Sequence, residues 1–240
     1  MAPPEKKNGS EKKTPKTGSV EDGLPGIDSL GAVKFFIPTV GALIVPRLIA
    51  GAAAVYLYKK DKEKYDKKIA GLEEEDGYLF AAAAVIGLCT SWLNNYPMLY
   101  KSMVMRFGSG NLRANMMIYK EAGKADAPYV VLDTEGPVGS YNRANRSLTH
   151  FIENSLPTIL AIFLAGKVFP YWTFMLTAAF CAGRVLHQIG YSTIGYGAHA
   201  PGFAVAMMSA TTLEMFCVLI AAKNLGFTTF SFGSLYKLEL

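Results

Sequence analysis

Hydrophobic residues fall in five runs: Val33 to Tyr58, Tyr78 to Tyr100, Phe151 to Phe169, Tyr171 to Thr193 and Phe203 to Ala222. A bilayer core of ~30 Å takes ~20 mostly apolar residues per helix, and each run is about that long. One such run can be a buried soluble helix; five in one short chain predict a polytopic helical membrane protein. The first run contains Pro38, Pro46 and Arg47, so it either crosses the membrane or lies along its surface. In the second, Asn94 and Asn95 sit near the far end, and Pro97 predicts a kink close to the interface. Residues 101–141 then form a long polar connection containing YVVLDTEGPVG, the kind of loop that is functional or mobile. The remaining runs are joined tightly, by GKVFP at 166–170 and by a glycine-rich link around IGYGAHAPG.

Composition sharpens this picture. The chain of 240 residues is 51% hydrophobic and 18% charged, too apolar for an ordinary soluble domain. Residues 1–31 are rich in Lys, Glu, Gly, Ser and Pro, which predicts a disordered polar tail rather than a secretory signal. The net charge of +5 comes largely from two lysine tracts, Lys6 to Lys16 and residues 59–68, the second followed by EEED at 73–76. Acids beside the lysines and the lack of a basic–aromatic pattern point to a solvated or membrane-surface face, and no nucleic acid partner is expected. Cys89, Cys181 and Cys217 all lie inside apolar runs without metal-ligand or disulfide spacing, and are read as reduced, packed thiols. The three histidines, His150, His187 and His199, stand far apart in sequence, so no metal site is expected. Neither a phosphate-cradling glycine loop nor a serine nucleophile elbow is present.

The chemistry concentrates in NRANRSLTHFIE, residues 142–153, at the entrance to the third run. At ~100° per residue, Arg143, Arg146, His150 and Glu153 share an arc of about 80° on one helix face. Such a face avoids lipid tails, because Arg or Asp at a helix centre costs roughly 2.5–3.5 kcal/mol on insertion scales. Two readings stay open: an interfacial helix start that grips phosphates, or a polar pocket for an anionic or zwitterionic ligand. Arginine forks suit carboxylates, and a glutamate suits an ammonium group. On the next helix Arg184, His187 and Tyr191 share an arc of about 60°. Arg184 lies near mid-span and needs a partner; Glu214 in the last run is the expected one, as a structural ion pair.

These stretches, YNRANRSLTHFIEN followed by a Pro and a long apolar helix, then GRVLHQIGY, resemble the MAPEG family, the membrane-associated proteins in eicosanoid and glutathione metabolism. Within it the microsomal glutathione transferase type three branch is the nearest in pattern. The resemblance covers roughly residues 78 to 225. It implies an all-α fold, a polytopic membrane four-helix bundle, here with an extra N-terminal hydrophobic segment. The domain organisation expected is a polar tail over 1–31, the extra segment with a charged linker over 32–77, the MAPEG-like bundle over 78–225 and a tail over 226–240.

The resemblance also implies a homotrimer with glutathione as co-substrate, held between subunits near the cytosolic face. Carried over residue by residue, Arg143, Arg146, His150, Glu153, His187 and Tyr191 are the expected glutathione-binding residues, with Tyr191 also catalytic. The implied function is a glutathione-dependent transferase or peroxidase acting on a lipophilic electrophile or lipid hydroperoxide from the membrane. The alternative is a non-catalytic lipid-binding scaffold of the same fold. This sequence departs from the family pattern where the motif asparagine is His150, the tyrosine after Glu153 is Asn154, and the earlier third-helix tyrosine is His187. The arginine that steadies the thiolate in active relatives has no counterpart, since residues 192–222 contain no Lys or Arg and only His199 as a basic residue. Arg143, His187, His199, or a neighbouring subunit's Arg106 or Arg113 are the candidates to replace it.

The terminal YKLEL resembles a K-D-E-L signal and points to the endoplasmic reticulum, with another intracellular membrane such as the mitochondrial outer membrane as the alternative. A lumenal C-terminus would place the 59–68 lysines in the lumen if the first run crosses, against the positive-inside tendency.

Overall fold

The apolar runs fall on long helices. A computed structural model describes residues 29–105, 116–226, 229–232 and 236–239. The order is α1 (Ser29–Lys60), α2 (Lys62–Ile69), α3 (Asp76–Met105), β1 (Tyr119–Lys124), β2 (Ala127–Leu132), α4 (Gly136–Ala165), α5 (Pro170–Thr193), α6 (Ala200–Asn224), β3 (Thr229–Phe232) and β4 (Tyr236–Glu239). The chain divides into two compact units, residues 1–37 and 38–240. Of the first, residues 29–37 are described, as helix, so the expected disordered tail over 1–31 lies almost wholly outside the described residues.

In the second unit α3 to α6 form a four-helix bundle in which α5 packs on α3, α4 and α6. Proline in the first turn starts α4, α5 and α6, where the missing N–H has no helical acceptor to lose. Among the described residues, three helices are long and apolar enough to cross a membrane: Asp76–Lys101 within α3, α4 and α6. α5 carries Arg184, His187 and Gln188 inward, all buried, and this polar load lowers its hydropathy. The bundle distributes polarity as lipid would select. Ile152, Leu156, Phe163, Leu186 and Met208 face outward, while Asn142, Asn145, Thr173, Thr177 and Gln188 are buried. This makes the protein an integral membrane protein of the all-α class.

The bundle core runs in three levels along α4. Ala82, Ala161, Ile162 and Leu213 pack at one end. Cys89, Leu93, Leu148, Phe151, Phe180, Cys181 and Ala206 fill the middle. Tyr96, Tyr100, Tyr141 and Ala144 close the other end. All three cysteines are free thiols, with Cys89 and Cys181 buried in the middle level.

Two features differ from the sequence expectation. α4 starts at Gly136 rather than at the apolar run, because its first turns are polar yet helical. At 1.5 Å per residue a helix of this length spans ~45 Å, which exceeds a ~30 Å core and leaves its early turns beyond the hydrocarbon. The 101–141 connection is also not simply a loop. It contains an antiparallel hairpin, with Tyr119 opposite Leu132 and Lys124 opposite Ala127. Asn142 on α4 holds the hairpin base. Its amide Nδ2 donates to the carbonyls of Ile118 and Asp133, both at 2.7 Å, and its Oδ1 accepts from the Ile118 N–H at 2.9 Å. Asn145, one turn on, donates to the Met116 carbonyl at 2.9 Å.

Candidate functional site

The face expected on α4 is real, but the structure divides its members. Arg143 turns toward the end of α5. Its Nε donates to the Tyr191 carbonyl at 2.8 Å and its Nη1 to the Thr134 carbonyl at 2.9 Å. Its Nη2 donates to Ser140 Oγ and to the Ser192 carbonyl, both at 3.2 Å. With four protein acceptors, this guanidinium ties α4 to α5 and stands apart from the pocket.

Arg146 is different. Its partner is Glu153, at 3.0 Å, and the two side chains are 50% and 49% exposed. A half-exposed ion pair this far along a membrane helix keeps valences that a polar ligand or a covering subunit can use.

Beside this pair lies a cavity of about 210 Å³ lined by Arg146, His150, His187, Tyr191, Tyr196, His199 and Phe203. The three histidines, distant in sequence, converge here from α4, α5 and the first residue before α6. The His187 ring centroid lies 5.9 Å from that of His150 and 5.3 Å from that of His199. Tyr191 is 5.1 Å from His199 and 6.0 Å from His187. The rings stack or meet edge-on, and among the described residues no group is arranged to hold a metal ion.

Hydrogen bonds fix the imidazoles. Arg184 Nη1 donates to His150 Nδ1 at 2.9 Å. A guanidinium has donors only, so Nδ1 is the acceptor and the His150 proton sits on Nε2. Ser147 Oγ and His187 Nδ1 are 2.8 Å apart. The expected Arg184–Glu214 ion pair is not formed. Arg184 is instead engaged by His150 and, through Nη2, by the Ser147 carbonyl at 2.9 Å, with its Cζ 5.9 Å from the Phe151 ring centre. It still shares a second cavity with Glu214, of about 220 Å³, which borders the first at His150 and Phe203.

Backbone shape brings His199 into the group. Gly197, at φ +97°, turns the α5–α6 link back, and its N–H donates to His199 Nδ1 at 3.3 Å. Close packing of α6 on α5 then needs Gly202, where a Cβ would come within 2.3 Å of the His187 backbone nitrogen. His199 lay outside the residues singled out as glutathione-binding. It sits in a link without helical periodicity, and its only sequence signal was being the sole basic side chain in residues 192–222. Ser147, Tyr196 and Phe203 were likewise not anticipated. Arg106 and Arg113 lie outside the described residues.

The cavity therefore combines one half-exposed cation, two phenols, three imidazoles and one phenylalanine, with the carboxylate of Glu153 beside it as the partner of Arg146. It suits a small ligand with carboxylates and an ammonium group. No curated protein matches the chain significantly, and no solved structure does. A family model does match, under the description MAPEG family, over residues 97–221, which takes in the last third of α3, all of α4 and α5 and most of α6. By fold, by membrane character and by this match over more than half of its length, the chain belongs to the MAPEG family.

Proposed function

We propose that the protein is a glutathione-dependent transferase or peroxidase of the endoplasmic reticulum membrane, acting on a lipophilic electrophile or lipid hydroperoxide. One observation carries the reading: the half-exposed Arg146–Glu153 pair stands at the edge of a cavity that also collects His150, His187 and Tyr191. Glutathione has two carboxylates and one ammonium. Arg146 meets a carboxylate as a fork, Glu153 meets the ammonium, and the imidazoles of His150 and His187 offer neutral hydrogen-bonding edges to the peptide. Tyr191 is the catalytic residue, donating its hydroxyl proton in a hydrogen bond to the sulfur or the adjacent peptide group.

The exposed charge pair supports a homotrimer as well. In a single chain Arg146 and Glu153 would face lipid, whereas a neighbouring subunit would cover them and complete the pocket. The apolar outer face of the bundle supports lateral entry of the second substrate from the bilayer. Within the family, the sequence pattern favours the microsomal glutathione transferase type three branch.

Turnover tests the reading. Detergent-purified protein given glutathione and a long-chain lipid hydroperoxide is expected to form oxidised glutathione and the lipid alcohol, with kcat lowered at least tenfold by Tyr191→Phe. The absence of a thiolate-steadying arginine in residues 192–222 favours one other reading, a lipid-binding scaffold. Glutathione binding without turnover on hydroperoxides or activated aryl halides would select it.

A further inference from the structure

The fold leaves two charged side chains on its apolar helices without a full set of partners. Glu214 stands near the middle of α6 and is exposed. Among the described residues it makes no ion pair; the carboxylates that do are Asp133, Glu135 and Glu153. Arg184 shares a cavity with it, but both Nη groups of Arg184 are taken, by His150 and by the Ser147 carbonyl. Arg47 stands near the middle of α1 and is exposed too. Its Nη1 donates to the Leu43 carbonyl of its own helix at 2.8 Å, and its Nη2 reaches the Gly87 carbonyl of α3 only at 3.5 Å. A charge turned toward lipid tails at such depth is costly, so intramembrane charges pair with one another.

Within one chain the two stand apart. α4 and α5 each pack on both α3 and α6, so α3 and α6 lie diagonally across the bundle. Arg47 lies against α3 on one side, and Glu214 faces outward from α6 on the other. They do share a level along the bundle. Gly87 follows Ile86, which packs against the end cluster containing Leu213, the residue before Glu214. The helix faces match as well. On α1, Ile44, Arg47, Leu48, Gly51 and Val55 share an exposed arc of about 100°. On α6, Met207, Thr211, Glu214 and Val218 share an exposed arc of about 60°. Both arcs have the width of a helix-packing seam. At Gly51 nothing lies within 4 Å of where a Cβ would stand, so another helix has room to come close.

We infer that α1 is a subunit clamp: its exposed face docks on α6 of a second copy of this chain, where Arg47 forms an ion pair with Glu214 of the partner subunit. The incoming arginine closes the cavity that Glu214 shares with Arg184. Because Arg47 and Glu214 lie on opposite sides of each chain, the contact is head-to-tail and repeats until a ring closes. This rests on the homotrimer reading above, and it does not depend on glutathione. α1 lies outside residues 97–221, so the clamp uses a helix beyond the part matched to the family.

Uncharged substitutions separate a pair from two unrelated charges. Arg47→Gln and Glu214→Gln each remove one partner and leave the other charge in apolar surroundings, whereas the double change removes both. A true pair gives a double variant no worse than either single one; unrelated charges give effects that add.

The test uses the full-length protein in detergent, with oligomer mass read by light scattering on dilution. Wild type is expected to be a trimer. Each single Gln variant is expected to raise the concentration at which the trimer half-dissociates by roughly tenfold or more, and the double variant by no more than either. A second measurement places the contact between chains. Arg47→Cys with Glu214→Cys, in a Cys217→Ser background, is treated in the membrane with a short bifunctional maleimide and is expected to give covalent dimers and trimers. Gln variants that leave the midpoint unchanged or whose effects add, or a double-Cys protein that links only within a chain or not at all, overturn the inference and leave a trimeric wild type standing. Wild type that is monomeric or dimeric overturns the trimer reading, and this inference with it.

Discussion

The first turns of α4 and the stretch one or two turns further along are built from the same residue types and do opposite things. Asn142, Arg143 and the side-chain amide nitrogen of Asn145 are engaged by the segments flanking the hairpin and by the carbonyls ending α5. Arg146 has one carboxylate partner and remains half exposed. The two arginines stand one helical turn apart, so neither charge nor helix face distinguishes them. Hydrogen-bond saturation does. A saturated guanidinium organises the fold, and an unsaturated one beside a cavity is free to take a ligand.

The largest effect that would break this contrast is at Asn142. It is 1% exposed and makes three hydrogen bonds across the hairpin base. Asn142→Leu leaves buried backbone groups unpaired, at ~1–3 kcal/mol each, so we expect the detergent-solubilised protein to lose ~3 kcal/mol or to fail to fold. A thermal melt of the purified variant checks this. Arg143→Ala is next. It removes a four-acceptor clamp that is partly solvated, for an expected loss of ~2 kcal/mol in the same melt. Arg146→Ala should affect the melt little and glutathione affinity strongly. Loss of a charged hydrogen bond is worth about 1.5–3 kcal/mol, so the dissociation constant is expected to rise roughly tenfold or more.

The smallest effect lies in the hairpin. Lys120 Nζ is 2.9 Å from Glu135 and 3.6 Å from Asp133, and the hydrogen bond it donates to Glu135, then the acids' charges, hold its pKa above the ordinary lysine value. A group whose pKa is raised on folding contributes stability that is present below the unfolded lysine value and is lost as pH rises through the folded one. Hydrogen exchange of the 119–132 hairpin should therefore quicken slightly at strongly alkaline pH, and Glu135→Gln should weaken that dependence.

Periodicity made much of this legible. The five apolar runs, each of which falls on a long helix, and the spacing of Arg146, His150 and Glu153 on α4, and of His187 and Tyr191 on α5, are local properties of the sequence. What escaped depends on contacts between distant segments. The hairpin's YKEAGK strand is charged and short of β-branched residues, so nothing local marked it as a strand. Arg184 and Glu214 were paired by the need to compensate charge, but a histidine and a helical carbonyl take the two Nη groups of Arg184 instead. His199 reaches the site through a link turned by positive-φ Gly195 and Gly197, which has no repeat to read. The same reasoning explains Arg143: its face was right, and its acceptors come from a helix end 48 and 49 residues away.

The most direct test is glutathione calorimetry on detergent-purified wild type, Arg146→Ala, Glu153→Ala and Arg143→Lys, each shown to be folded. Saturable wild-type binding is predicted, weakened at least tenfold by either change in the exposed pair and by less than threefold by Arg143→Lys. Binding that survives loss of Arg146 and Glu153 but vanishes with Arg143→Lys would contradict the account, as would no wild-type binding at millimolar glutathione.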